Sequence, residues 1–594
     1  MKRWASRFIC AIALVAGLGA CGERASSGQE EGPSGSGAGV SGPLHSERGG
    51  IGLLLPERQG VSAQMVVPVD PRRSLAVTDK GILASFSLVT VLNQMVTQNG
   101  GGGFTATQLF RQLWDTQNPA PGQPDLPFSP HCTDNGGTLN GFTYPCRPGE
   151  GSQAPLGATP SINDYVAVGL YNRFDLAPAN GSDCGEYRIV FAKKVGVGPG
   201  RNFIIFEAVL PNPRQDLGLE GCRPVADFWS DLTADPSIPS RAAKLSNFYF
   251  NGLTGFSPVV HMRNYGFNAG SLGQVRTNQF IQGPWLLHEF KLMRTCSSSL
   301  GCTLQFVPVT VKTNPWGDLF DPASAHPLAP AFQSAFLSQV QSLAVNNINT
   351  FNYTVADVFN AGQSDSQTPG TVDDYVTRFG AGPSAFHANI QAQLTAIGSP
   401  LTPKDIVARA QALSCGGCHQ RSNGQSMGGG LTWPPSSRFV HSTEFDDPTD
   451  PTRFDISTAL RTTFLPHRQL VLETFLTTPP LGAAFVSQGV PTTVQAGTSF
   501  TVTVTMKNTG TSAWTELNAF RLGSQSPANN TAWGPSRAFL APSETIHQGQ
   551  QKSFSFTVAA PGTPGSYPFQ WEMVQDGVGF FGPLTPLVNI TVTP

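Results

Sequence analysis

Charge is scarce in this sequence. Asp, Glu, Lys and Arg make up 13% of its 594 residues, against about a quarter in ordinary soluble domains. The formal net charge is −2, and no basic run exists that could follow a phosphate backbone, which excludes nucleic acid as a partner. No apolar stretch reaches the roughly 20 residues that a membrane-spanning helix needs. No internal repeat marks a solenoid. The G-x-S-x-G elbow, the P-loop and a G-x-G-x-x-G following a strand are all missing, so no catalytic constellation is recognised. What is plentiful is glycine (64), proline (49) and phenylalanine (39), within a hydrophobic share of 39%. A disordered chain would show few apolar residues and much charge. These numbers describe a folded, turn-rich protein of several domains.

Lys2, Arg3 and Arg7 precede an apolar run from Phe8 to Leu18, the proportions of a secretory signal,. The run ends in Leu18-Gly19-Ala20-Cys21, which resembles the bacterial lipobox. That resemblance implies a signal peptide over 1–20, a lipid on Cys21 and anchorage in the cell envelope. Gly22 in place of Asp implies the outer membrane. Residues 21–50 are rich in Gly, Ser and Glu and read as a flexible tether with a span of about 30 Å,.

Ten cysteines are present. Setting aside Cys10 and Cys21, eight remain. Six of them pair most cheaply with their nearest neighbours, as Cys132–Cys146, Cys184–Cys222 and Cys296–Cys302, although six cysteines permit 15 connectivities,. Export to an oxidising compartment favours such bridges.

The last two belong to Cys415-Gly416-Gly417-Cys418-His419, the C-x-x-C-H pattern of covalent haem c attachment,. Two thiols at that spacing can each bond a porphyrin vinyl group, and the adjacent histidine becomes an axial ligand. Thr402 and Pro403 open a helical pattern in which Ile406, Ala410 and Leu413 share a face leading into the motif,. Residues 401–480 resemble a small, divergent, mainly helical cytochrome c segment. For the second axial ligand the sequence offers Met427, His441 and His467, and the spacing favours His467 with His419 as the metal-ligand pair. Zinc would want a second C-x-x-C, and a thioredoxin-like site a βαβ context. A plain Cys415–Cys418 disulfide is the remaining alternative.

Residues 51–400 alternate helical and strand patterns. Phe86, Val89, Leu92 and Val96 recur at helical spacing, and Thr105 can cap a second helix,. Strands are predicted near 165–171, 187–192, 203–210, 274–281 and 304–311, and helices near 224–232, 329–344, 385–397 and 456–476. His288 and Glu289 fall in a strand-like stretch and lack the second histidine of a zinc protease,. The expectation is an α+β domain without a legible site.

The C-terminal stretch alternates cleanly, as in Phe500-Thr-Val502-Thr-Val504-Thr-Met506 and Phe554-Ser-Phe556-Thr-Val558, so residues 485–594 form an antiparallel β-sandwich,. Lys507-Asn508-Thr509-Gly510 through Trp514, Trp533-Gly534, Pro564-Gly565-Ser566-Tyr567 through Trp571, and Phe580-Phe581-Gly582 resemble the four-tryptophan Ig-like family of selective-autophagy receptors and bacterial surface proteins. Phe581 stands where that family has its fourth tryptophan. The resemblance implies an interaction module, with Trp514, Trp533, Trp571 and Phe581 as its characteristic residues.

Two functions follow. One is a membrane-anchored lipoprotein carrying haem c for electron transfer or redox sensing, docked to a redox or envelope partner through the Ig-like module. The other is a non-enzymatic surface scaffold in which Cys415–Cys418 is a disulfide.

Overall fold

The computed structural model describes residues 68–100, 105–115, 132, 137–150, 161–196, 200–266, 272–280, 283–297, 301–368 and 373–594. The signal peptide, Cys21 and the tether lie outside them. No helix among the described residues is long and apolar enough to cross a membrane.

The central body is built on one antiparallel sheet. Its strands are β1 (Ala76–Val77), β2 (Tyr165–Arg173), β3 (Asp183–Lys193), β4 (Arg201–Pro211), β5 (Gln274–Phe280), β6 (Leu286–Ser297), β7 (Gly301–Val309) and β8 (Ser364–Asp365). They run β1-β2-β3-β4-β5-β6-β8 across the sheet, and β7 pairs β6 from Glu289 to Ser297. Strands β2 to β4 are buried along nearly their whole length. A strand covered on both faces loses polar alternation and reads as an apolar run, as Phe203-Ile204-Ile205-Phe206 does.

Helices cover the sheet: α1 (Leu88–Gln98), α2 (Ala106–Asp115), α3 (Arg223–Asp231), α4 (Ile238–Phe250), α5 (Ala329–Leu337), α6 (Ala385–Ala396), α7 (Pro403–Leu413) and α8 (Leu465–Thr477). Thr105 Oγ1 accepts from the Gln108 amide at 3.2 Å, so α2 has the cap read from sequence,. Helix α4 went unread, because its buried Leu245, Phe248 and Tyr249 lie among Ser, Asn and Arg.

The small helical unit expected over 401–480 is different in form. Strands β9 (Ser442–Asp447) and β10 (Asp450–Ile456) make a hairpin inside it. Its apolar residues, among them Ile406, Leu413, Trp433, Leu460 and Phe475, join one core with Val69, Leu92, Phe206 and Phe306. Helices α7 and α8 therefore bury their faces against the sheet body, and no separate core closes around them.

All three bridges join the cysteines that are nearest in sequence. Cys296 and Cys302 stand directly opposite each other across the β6–β7 hairpin.

The C-terminal body has its own core around Trp514, Trp533, Phe569 and Trp571. Ala483–Gly489, Ser499–Asn508 and Gln551–Ala559 form one antiparallel sheet. Phe520–Ser524 pairs Arg537–Phe539 and Trp571–Gln575, and the latter pairs Gly579–Phe581. Thr493–Gln495 lies parallel to the last strand, Val588–Thr593. Trp514, Trp533, Trp571 and Phe581 are at most 9% exposed, so these four aromatics form the interior and are not a contact surface. The two bodies meet through the backbone: the Ala513 amide donates to Leu217 O at 3.0 Å and the Glu220 amide to Thr511 O at 3.2 Å.

Candidate functional site

The site begins at the end of α7. Thr402 and Asp405 form a reciprocal capping box, and Pro403 occupies the first turn,. Helix α7 stops at Ser414, whose hydroxyl donates to Gln411 O at 2.8 Å and accepts from the Gly417 amide at 2.9 Å. The chain then winds into a wide turn, Gly417–Arg421. Both central residues of the C-x-x-C must be glycine here. A Cβ on Gly417 would fall 1.7 Å from Gln411 O, and one on Gly416 would fall 2.6 Å from Asp365 O,.

This tight packing turns Cys418 and His419 toward the sheet. Both line a cleft with an interior of about 80 Å³. Its apolar wall includes Val190, Phe203, Ile205, Leu460 and Phe464. Its polar lining includes Tyr171, Asn278, Ser442 and three arginines, Arg173, Arg188 and Arg468, with no carboxylate among the residues that face it. Cys415 does not line this cleft: with Gly416, Trp285 and Leu287 it borders a second gap, also lined by His419, that has no room for a water molecule. Cys415 and Cys418 are both buried thiols.

His419 is oriented by one strong hydrogen bond. Its Nδ1 donates to Phe439 O at 2.7 Å, which fixes the tautomer and leaves the ring's lone pair on Nε2. The accepting carbonyl sits on a two-residue turn closed by reciprocal hydrogen bonds between Ser437 and Val440. Both central residues, Arg438 and Phe439, have left-handed φ values of 49° and 71°. Neither is Gly or Asn, and each such residue costs about 1–2 kcal/mol. Tertiary contacts hold the turn: Phe439 stacks on Trp285 at 5.7 Å, and Arg201 donates to Arg438 O at 2.7 Å. Strain kept at a site by its surroundings is a recurrent mark of function.

His441 completes the cluster. Its Nε2 lies 2.7 Å from Cys418 Sγ, and its Nδ1 lies 2.8 Å from Ser457 Oγ. Among the described residues, the ligand atoms of Cys418, His419 and His441 all lie within 4.8 Å of one another. Two imidazoles and a thiol form a donor set suited to a transition metal.

The arginines are neutralised from behind. Arg173 chelates Asp175, and Arg188 pairs with Glu186 and, at 3.4 Å, with Glu207. Arg276 then links Glu207 to Glu289, at 3.3 and 3.0 Å, so charges of alternating sign cross β3 to β6 beneath the cleft. Burial pushes the Asp175 carboxyl up, but Arg173 and Arg468 outweigh it and hold the group at about 2. Such buried charges persist only when paired.

Of the expected residues, Cys418 and His419 share the cleft, and Cys415 borders only the gap beside it. His467 does not line the cleft. It lies on α8 within the field of Asp175, while its neighbour Arg468 faces inward. Met427 is in the core at 1% exposure, and its carbonyl accepts from Arg409 Nε at 2.6 Å. His441 shares the cleft with His419. The arginines went unread because they are spread over 295 positions, from 173 to 468, and carry no local pattern. His288 lies in β6, fully buried against Tyr144, and burial with nearby Arg147 holds it well below the usual histidine range.

A comparison with protein families matches residues 489–592 to the Ig-like domain from next to BRCA1 gene. The chain therefore carries an Ig-like domain at its C-terminal end, of a kind consistent with protein interaction. No curated protein matches the chain.

Proposed function

We propose that this chain is an exported, lipid-anchored carrier of one covalent haem, held by Cys415 and Cys418 with His419 as axial ligand, and linked to a protein partner by its Ig-like domain. The carrying observation is the orientation of His419: its Nδ1 donates to Phe439 O at 2.7 Å, which leaves the ring's lone pair on Nε2, and His419 lines the cleft together with Cys418. The donor set fits the group. Cys418 and an oriented imidazole face the cleft, the aromatic and aliphatic wall suits the ring, and Arg173, Arg188 and Arg468 suit its carboxylates, while Cys415 lies outside the cleft beside Leu287 and would have to turn toward it for the second bond,. When bound, the iron supplies one-electron redox chemistry. The chain's own residues orient, exclude water and balance charge. Val190, Phe203 and Phe464 keep one face of the cleft apolar, and the ion pairs behind the arginines hold their forks facing inward.

Three disulfides support an oxidising compartment,. The basic and apolar N-terminus ending in Cys21 supports lipid anchorage at the outer membrane,.

The test is the full chain, matured with its own signal in cells that attach haem c. Its band on a denaturing gel should stain for haem, and the Cys415→Ser, Cys418→Ser double variant should not. A chain that leaves the periplasm colourless would overturn the reading. A membrane fraction that keeps the chain, and loses it on Cys21→Ser, would support the anchor.

A further inference from the structure

We infer that His441 and Ser457 make Cys418 an activated nucleophile, with His441 accepting its proton when the sulfur bonds carbon. The contact is direct. Cys418 Sγ lies 2.7 Å from His441 Nε2, and the opposite ring nitrogen lies 2.8 Å from Ser457 Oγ. A thiol is a weak acceptor, so the arrangement that uses each atom best has the S–H donating to Nε2 and Nδ1–H donating to the hydroxyl. Ser457 is itself fixed, since its Oγ accepts from the Leu460 amide at 3.1 Å and its side chain is buried. Nucleophile, base and orienting group in series is the arrangement by which weak nucleophiles are activated. Cys418 is 1% exposed, yet it lines the cleft, so an electrophile reaches it from inside the binding site.

The proposal rests on the reading of this site as one of covalent attachment, and it adds how the bond forms. With a porphyrin vinyl group as acceptor, the Sγ–H bond breaks and its proton moves to His441 Nε2. The Sγ–C bond then forms, and the proton passes from the imidazolium to the neighbouring carbon. The addition is balanced, with no net oxidation or reduction. The thioether that results has no proton to donate, which frees His441 Nε2 from its present hydrogen bond.

The test needs no porphyrin. The full chain, produced without haem, is treated with limiting iodoacetamide. The sulfur then displaces iodide while His441 takes the proton, and peptide fragmentation reads Cys415 and Cys418 separately. In His441→Gln the rate at Cys418 should fall at least about tenfold, the low end of general-base effects, while the rate at Cys415 stays the same. Ser457→Ala, a milder change, should fall between the two and serves if the glutamine variant unfolds. A Cys418 rate unchanged in both variants would overturn the proposal. The two readings fail separately. A fast, His441-dependent Cys418 in a chain that never stains for haem keeps the activated thiol and removes the porphyrin. A haem-stained chain whose Cys418 alkylates independently of His441 does the reverse.

Discussion

Asp373→Asn should reverse its effect on stability between acid and alkaline pH. Asp373 is fully buried beside the C-x-x-C turn. Its Oδ2 accepts from Ser364 Oγ at 2.8 Å and from the Asp365 amide, and the same Ser364 hydroxyl accepts from the Gly416 amide at 2.8 Å. Burial pushes this carboxyl up, from 3.8 to about 7, against the pull of those hydrogen bonds and of Arg421. The native state therefore keeps a proton that the unfolded chain releases above pH 4. Stability contributed by the neutral acid is complete below about pH 4 and is lost as pH rises through 7. A displacement of this size corresponds to about 4 kcal/mol between the two limits. Asparagine keeps the accepting oxygen and cannot ionise. Its amide N–H₂, however, occupies the position of Oδ1, which has no hydrogen-bond partner, and that costs about 1–3 kcal/mol. The variant should be the weaker protein at pH 4.5 and the stronger by about 1–3 kcal/mol at pH 8. Urea unfolding of the full chain at both pH values, read by pulse hydrogen labelling of the 403–421 peptide, isolates this region from the Ig-like body. Stability profiles that stay parallel across pH would refute the argument.

Arg409 is fully buried, sits 4.5 Å over the Phe351 ring, and donates to Met427 O, Leu343 O and Val345 O at 2.6–2.8 Å. Arg409→Ala should cost about 3–5 kcal/mol in the same urea assay, and Arg409→Lys should recover only part, because an ammonium cannot reproduce the planar fork. Asp175, held at about 2, contributes stability that is present above about pH 4 and lost as pH falls toward 2. Asp175→Asn should flatten that acid limb by about 2 kcal/mol, measured by urea midpoints from pH 5 down to 2. Trp571→Ala empties the Ig-like core and should lower that body's stability by about 3–5 kcal/mol. Circular dichroism melts should then show the C-terminal transition moving while the central one stays.

The local pattern fixed what local chemistry controls. Thr402 and Pro403 start a helix wherever they stand before apolar residues at the right spacing, and α7 begins there. The strict alternation of residues 500–506 and 554–558 marked half-buried strands, and those segments pair as Ser499–Asn508 and Gln551–Ala559. The β9–β10 hairpin was illegible because its residues, Ser442-Thr-Glu-Phe-Asp-Asp447, include three acids. Ion pairs from distant arginines hold it, Arg72 and Arg461 on Asp447 and Arg201 on Glu444. The Arg438–Phe439 turn has no glycine or asparagine to announce it, since tertiary contacts sustain its left-handed backbone.

The sequence alone determined the chemistry: two thiols and an imidazole in one pentapeptide, and an aromatic-cored β-sandwich at the end, while the choice among the 15 pairings of six cysteines was left to the fold,. Those are properties of residue type and spacing within a few turns of chain. Only the tertiary structure decided which histidine stands beside the motif. His441 reaches Cys418 because the strained turn at 438–439 returns the chain across the cleft, whereas His467 is carried on α8 toward Asp175. The arginine lining was equally beyond the sequence, because a charge is placed in a cavity by the strand and helix that carry it. Glycine, so abundant in composition, acquired a specific meaning at 416 and 417. There the backbone passes too close to Asp365 and Gln411 for any side chain.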